Sequence, residues 1–135
     1  MLFKGLEISL TGMLAQRVRM DIHSSNLANA NSVDENGNPY RRKIPIFEAV
    51  LEDVGKVKAY RVRVKKVVED PSPFKMKYDP SNPLADDKGY VKLPNVDPLR
   101  EMVDMISAMR TYEANLTAFN THKGMILSSL DILKA

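Results

Sequence analysis

From Asp97 onward the chain carries a helical stripe that runs almost to its last residue. Leu99, Met102, Ile106, Met109, Tyr112, Leu116, Phe119, Ile126, Leu130 and Leu133 recur near the 3.6-residue period. Asp97 is a good N-cap, and Pro98 suits the first helical position, where its missing N–H costs nothing. The register of the stripe slips between Met109 and Tyr112, like a stammer in a coiled coil. A straight helix of this extent is about 55 Å long. A compact globule of this chain length is only on the order of 37 Å across. A simple ball cannot hold it.

A second amphipathic run begins near Phe3. Phe3, Leu6, Leu10, Met13, Met20 and Leu27 alternate at spacings of three and four, with positions 17 and 24 skipped, close to a coiled-coil heptad. The pattern predicts a helix over Phe3–Ala30, roughly 40 Å long. Gly5 and Gly12 lie inside it and each cost about 1 kcal/mol relative to alanine, so this helix depends on packing. Ile8, Leu14, Val18 and Ile22 fall off its stripe and ask for further neighbours. Six of the eight methionines sit in the two helices, as gap-fillers or on a face that meets several neighbours. Two helices cannot cover all these positions alone, which implies self-assembly or a partner.

The first helix ends in Ser25-Asn26-Leu27-Ala28-Asn29-Ala30-Asn31-Ser32. Asparagine tolerates the left-handed turn that closes a helix, and its amide bonds nearby backbone. Composition favours a helix end fraying into a loop. The other reading is a close-packed joint, where small residues let backbones approach and amides bond across the gap.

Between the helices the period changes to two. Asp34-Glu35-Asn36-Gly37-Asn38-Pro39 is a turn region. Ile44, Ile46 and Glu48 alternate, with Pro45 marking an edge or irregular start. Lys56–Val68 is the clearest strand, with Tyr60, Val62 and Val64 facing one way and Arg61, Arg63 and Lys65 the other. Phe74, Met76 and Tyr78 alternate again, and a short strand forms around Tyr90-Val91-Lys92. The fold class that follows is α+β: long N- and C-terminal helices pair as a coiled coil, with a small mostly-β insertion between them. Three parts are expected: a helical part over 1–35, a β-rich insertion and loop over 36–96, and a helical part over 97–135.

Several function classes find no support. Cysteine is absent, so there is no disulfide framework, thiol nucleophile or thiolate metal site. No stretch approaches the ~20 apolar residues of a membrane span, and Met1-Leu2-Phe3-Lys4 does not begin a cleaved signal peptide. Asp21, His23 and Ser25 are triad residue types, but at i and i+2 on a helix they point to different faces, as solvated or helix-end polar groups. His122 is the other histidine, and two lone histidines make a poor metal site. Asp79, Asp86 and Asp87 lack the rhythm and closing glutamate of a calcium loop. No phosphate-binding glycine loop is present. Neither an enzyme nor a cofactor is expected.

Charge is uneven. Asn36–Val96 carries 13 Lys/Arg against 8 Asp/Glu. Arg41-Arg42-Lys43 and the Lys56–Lys66 run could meet nucleic acid or an anionic surface. The ordinary alternative is the wet face of a strand, where lysine discourages edge pairing. With Tyr60 the lone aromatic in the run, an acidic protein partner suits these residues better than nucleic acid.

At this point the residues carry a resemblance. Ser25–Ser32 after an amphipathic N-terminal helix is similar to the N-terminal signature of bacterial flagellar rod and hook proteins. Pro94–Met125, PNVDPLREMVDMISAMRTYEANLTAFNTHKGM, resembles the matching C-terminal signature. The loop YDPSNPLADDKGYVKLPNVD, Tyr78–Asp97, narrows the likeness to proximal-rod members of the flagellar basal-body rod family. The resemblance implies terminal helices paired as a coiled coil, lining a tubular shaft that transmits torque and encloses an export channel. It places assembly contacts at Asn26, Leu27, Asn29, Asn95, Val96, Asp97, Glu101, Met102, Arg110, Tyr112 and Asn115. It further implies export, without a cleaved signal, by the flagellar type III apparatus into a rod that crosses the periplasm. Implied partners are other proximal- and distal-rod subunits and the basal adaptor FliE, in a homo- and hetero-oligomeric helical assembly. The competing class is a stand-alone helical adaptor or coiled-coil protein of fixed stoichiometry.

Overall fold

The computed structural model describes residues 2–134. Helix α1 spans Leu2–Ala28, strands β1 and β2 span Lys43–Val54 and Val57–Glu69, β3 and β4 span Lys75–Tyr78 and Tyr90–Leu93, and helix α2 spans Pro98–Lys134. The fold is α+β: two long terminal helices pack on each other and a small antiparallel β insertion lies between them.

Helix α2 starts where its cap places it. The Asp97 Oδ1 accepts the Leu99 amide at 3.1 Å, satisfying one of the amides a helix start leaves unpaired. Helix α1 closes at Ala28, two residues before the expected end. The Asn29 side chain donates back to the Ser25 carbonyl at 2.8 Å, so that asparagine terminates the helix.

The helices run antiparallel, with glycines on α1 opposite polar side chains on α2. A Cβ on Gly5 would lie 2.4–2.8 Å from the His122 ring, and one on Gly12 would lie 2.7–2.9 Å from the Asn115 amide. Both pairs step by seven residues and show the register in which the helices meet. The inward positions of α2 are Glu101, Met105, Ala108, Tyr112, Asn115, Phe119, His122 and Ile126, all buried or half-buried. Those of α1 are Gly5, Ile8, Gly12, Ala15, Arg19, Ile22 and Asn26. Each set alternates by three and four without interruption, as a heptad seam requires.

This seam corrects the expected stripes. Leu99, Ile106, Met109, Leu116, Leu130 and Leu133 are exposed, Leu99 at 70% and Leu133 at 81%, as are Phe3 and Leu10. Leu6, Met13 and Met20 are half-buried beside the seam rather than on it. Of the α2 stripe, Tyr112, Phe119 and Ile126 face inward. The slip between Met109 and Tyr112 is therefore no stammer: it joins an outer stripe to an inner one. Apolar character marked the outer face because glycine, alanine and polar residues take nine of the fifteen seam positions.

The hairpin β1–β2 pairs Lys43 with Glu69 and Val54 with Val57. Its tip needs Gly55, whose φ of +66° suits the first position of a tight two-residue turn. Strand β1 runs well past the three alternating residues that announced it. A bulge opposite Ile46 and Phe47 puts its extra residue, Lys65, on β2, while the inward side of β1 continues through Glu48, Val50 and Glu52, where two glutamates weaken the apolar signal. A lone two-stranded hairpin is marginal in water. This one leans on α1, where Thr11 Oγ1 accepts the Val62 amide at 3.4 Å. The smaller β3–β4 pair carries an edge-to-face contact of Tyr78 with Tyr90, centroids 5.3 Å apart.

Candidate functional site: a buried polar joint

Apolar side chains do not dominate the most enclosed part of the molecule. The largest fully buried side chains are Glu101, Val96, Asn26 and Pro94. They meet where the end of α1, the start of α2 and the base of the hairpin converge.

Glu101 is the hub. Its Oε2 accepts from His23 Nδ1 at 2.6 Å and from Asn26 Nδ2 at 3.2 Å. Its Oε1 accepts from Arg42 Nε. Arg42 spends its other nitrogens on Asp70 Oδ2 at 3.2 Å and Asp104 Oδ2 at 3.7 Å. Asn26 uses both ends of its amide. Nδ2 also donates to the Lys43 carbonyl at 2.8 Å, while Oδ1 accepts the Lys43 amide at 2.9 Å and the Tyr40 hydroxyl at 2.8 Å. Among the described residues, no buried side-chain nitrogen or oxygen lacks a partner. That completeness lets a buried charge cluster hold.

A second layer closes the hairpin base. Asn95 Oδ1 accepts the Arg42 amide at 2.8 Å, and its Nδ2 donates to the carbonyls of Asp70 and Ser72, both at 3.1 Å. Asp70 Oδ1 accepts the Ser72 amide and hydroxyl at 2.8 and 2.5 Å. Arg41 donates to the Asp70 and Ser72 carbonyls and stacks 4.1 Å over the Phe74 ring.

The electrostatics follow. Burial by itself pushes the Glu101 carboxyl up, but hydrogen bonds from Arg42, His23 and Asn26 outweigh it and hold the group below the usual carboxylate range. The Ser72 hydroxyl and amide, with Arg42 behind them, hold Asp70 low against the opposing effect of burial. Burial works against the Arg42 charge too, but Glu101 and Asp70 raise its pKa overall.

Several expectations are corrected here. His23 is not a solvated helix-end residue: it is 4% exposed and bonded to Glu101. Asp21 and Ser25 are exposed and join no cluster with it. At Asn26 the Ser25–Ser32 stretch is a close-packed joint, whereas at Asn29 it is a plain helix end. Arg41 and Arg42 are consumed inside the chain rather than offered as a basic patch. On β2, Arg61 pairs with Glu52 at 3.3 Å and Arg63 with Glu48, which lowers the free charge of that face.

The assembly contacts implied by the resemblance divide by burial. Asn26, Val96 and Glu101 are 0–1% exposed and leave no surface for a neighbour. They hold the chain's own corner together. Asn95 is half-buried in the same corner, and the Asp97 side chain caps α2. Asn115 and Tyr112 lie on the seam, and Leu27 and Asn29 are half-buried. Met102 and Arg110 are exposed on the outer face of α2. Sequence reasoning missed Tyr40, Arg42 and Asp70 as members of the joint. The Asp70-Pro71-Ser72 turn pattern was the one local signal.

The polar atoms of the joint are spent on one another. His23, Glu101 and Asp104 bring ligand-type atoms within 4.8 Å of one another. However, Arg42 already contacts both carboxylates, and its charge repels a metal cation from that position. Among the described residues, the His23 imidazole bonds to Glu101 and to no hydroxyl group. No helix of the described residues is long and apolar enough to cross a membrane.

Comparison with known proteins gives a consistent result. The family model described as flagella basal body rod protein matches residues 6–34, and the one described as flagellar basal body rod FlgEFG protein C-terminal matches residues 87–132. Flagellar basal-body rod protein FlgC of Aquifex aeolicus is 52% identical over 124 aligned residues, covering 90% of each chain. The protein of the same name from Bacillus subtilis is 44% identical over 147 aligned positions and 98% of each chain. That of Escherichia coli O157:H7 is 43% identical over 127, covering 93% of each.

Proposed function

Because this chain belongs to the FlgC family of flagellar basal-body rod proteins, we propose that its paired terminal helices polymerise into the proximal part of a tubular drive shaft. It is a structural, non-catalytic subunit of the flagellar basal body and works among other rod components. In the proposed reading the shaft carries torque, crosses the periplasm and encloses an export channel. The flagellar type III apparatus delivers the chain, and its axial neighbours include FliE and the next rod segments. The working parts are the 1–35 and 97–135 helical arms and the 36–96 insertion.

One observation carries the assembly reading: the outer face of α2. Leu99, Met102, Val103, Ile106 and Met109 are each 46–70% exposed in the single chain. A contiguous apolar face of this kind marks an interaction surface. Residues already spent on the joint or the seam are not needed for it. The test is Ile106→Asp in a motile host, followed by imaging of isolated basal bodies. Basal bodies lacking rods, from a variant that stays helical when purified, support the reading. Normal rods and motility would defeat it, as would a wild-type chain that stops at one fixed stoichiometry.

A further inference from the structure

The seam between the helices does not by itself select one register. Gly5 and Gly12 stand one heptad apart, and the knobs they receive, His122 and Asn115, stand one heptad apart on α2. Slide α2 by seven residues and His122 enters the space at Gly12, while Ser129, a small residue, meets Gly5. Ala15 then faces Phe119, an equally good small-against-large match.

The lengths of the helices permit the slide. Helix α1 has 27 residues and α2 has 37. In the observed register the last two turns of α2 extend beyond the start of α1, with Leu130 and Leu133 exposed. Sliding brings that overhang over α1, and α1 stays covered along its whole length. A displacement of seven residues is about 10 Å.

What the slide destroys is the joint. His23 and Asn26 would move a full heptad from Glu101, and the carboxylate would lose two of its three donors. We infer that the Glu101 joint, and not the glycine seam, sets the register of α1 on α2, and that weakening it releases a state slid by one heptad. Glu101 acts as a positioning residue, like the single buried polar residue that fixes register in a coiled coil. The lock fixes how far the hairpin base stands from the free tip of α2, a length that identical subunits must share to stack.

The experiment uses spin labels on the full chain, which has no native cysteine to interfere. Arg17→Cys and Lys123→Cys lie on exposed positions. In the observed register they are offset by about 20 Å along the axis, and in the slid one by about 9 Å. The wild-type joint should give one long distance. Glu101→Ala should shorten it by about 10 Å at unchanged helical circular dichroism. Should that variant lose its helical signal, Glu101→Gln carries the reading, with a second, shorter population expected. An unchanged single distance in a helical Glu101 variant would overturn the inference, because the seam would then suffice. A wild-type chain showing both distances would overturn it too.

Discussion

The His23 imidazole and the Glu101 carboxylate, 78 residues apart in the chain, meet at 2.6 Å inside the molecule. That bond ties the end of the first helix to the start of the last. With Arg42 it makes one corner out of three segments that the sequence keeps far apart.

Acid should loosen this corner. Glu101 and Asp70 are both held below their ordinary values in the folded chain. A depressed carboxylate contributes stability that is complete above its unfolded pKa and is lost as pH falls through its folded one. The loss should therefore begin near the ordinary carboxylate value of about 4 and deepen below it. Urea midpoints measured down that range should fall, and Glu101→Gln should flatten the slope. A slope unchanged in that variant would mean that other carboxylates dominate.

The glycine seam predicts a conditional effect. Gly12→Ala should raise intrinsic helix propensity by about 1 kcal/mol. Its new methyl group, however, would meet the Asn115 amide within 3 Å, and overpacking of this kind costs about 1–3 kcal/mol. The single variant should be less stable than the parent. In an Asn115→Ala background the same change should become neutral or stabilising. A double-mutant cycle by chemical denaturation measures the coupling, and additivity would disprove the close approach.

Leu116 and Phe119 lie three residues apart on α2 but should fail in different ways. Leu116 is 38% exposed, whereas Phe119 lies half-buried on the seam. Phe119→Asp should unfold the helix pair in the purified chain, by a few kcal/mol for a charge left unpaired in a packed interface. Leu116→Asp should keep its circular dichroism and denaturation midpoint, yet fail to build rods. Equal solution stability of the two variants would contradict the inner and outer assignment.

The long elements were legible because they rest on periodicity and caps. The 3.6-residue recurrence after Asp97 and the alternation through Tyr60, Val62 and Val64 both correspond to real elements. The faces of the helices were not legible. A reading that follows apolar side chains selects Leu99, Ile106 and Met109, whereas the chain sets Gly5, Gly12, Asn115 and His122, all half-buried, on its seam. Glycine and asparagine carry no apolar signal, and their value lies in close approach. The joint was hidden for another reason. Arg42 reads as part of a basic cluster, and its pairing with Asp70 exists only once the hairpin brings positions 28 residues apart together. Asn26 alone stood in a stretch odd enough to raise the joint as an alternative.

Arg42→Lys tests whether the corner needs a fork or only a charge. The guanidinium sends Nε to Glu101 and its two terminal nitrogens to Asp70 and Asp104. A lysine ammonium is one point on a flexible stem and cannot reach all three carboxylates in that geometry. Each lost bond to a charged group costs about 1.5–3 kcal/mol, so the variant should be markedly less stable although its net charge is unchanged. The damage should also be local. The Lys43 amide is held by Asn26, and the Asp70 amide by the Arg42 carbonyl at 2.8 Å, so both should exchange with solvent faster. Amides at the middle of the helix seam should keep their protection relative to global unfolding. Uniform acceleration along the whole chain would show that the corner and the seam unfold as one unit, and that Arg42 stabilises the fold as a whole rather than anchoring the hairpin to it.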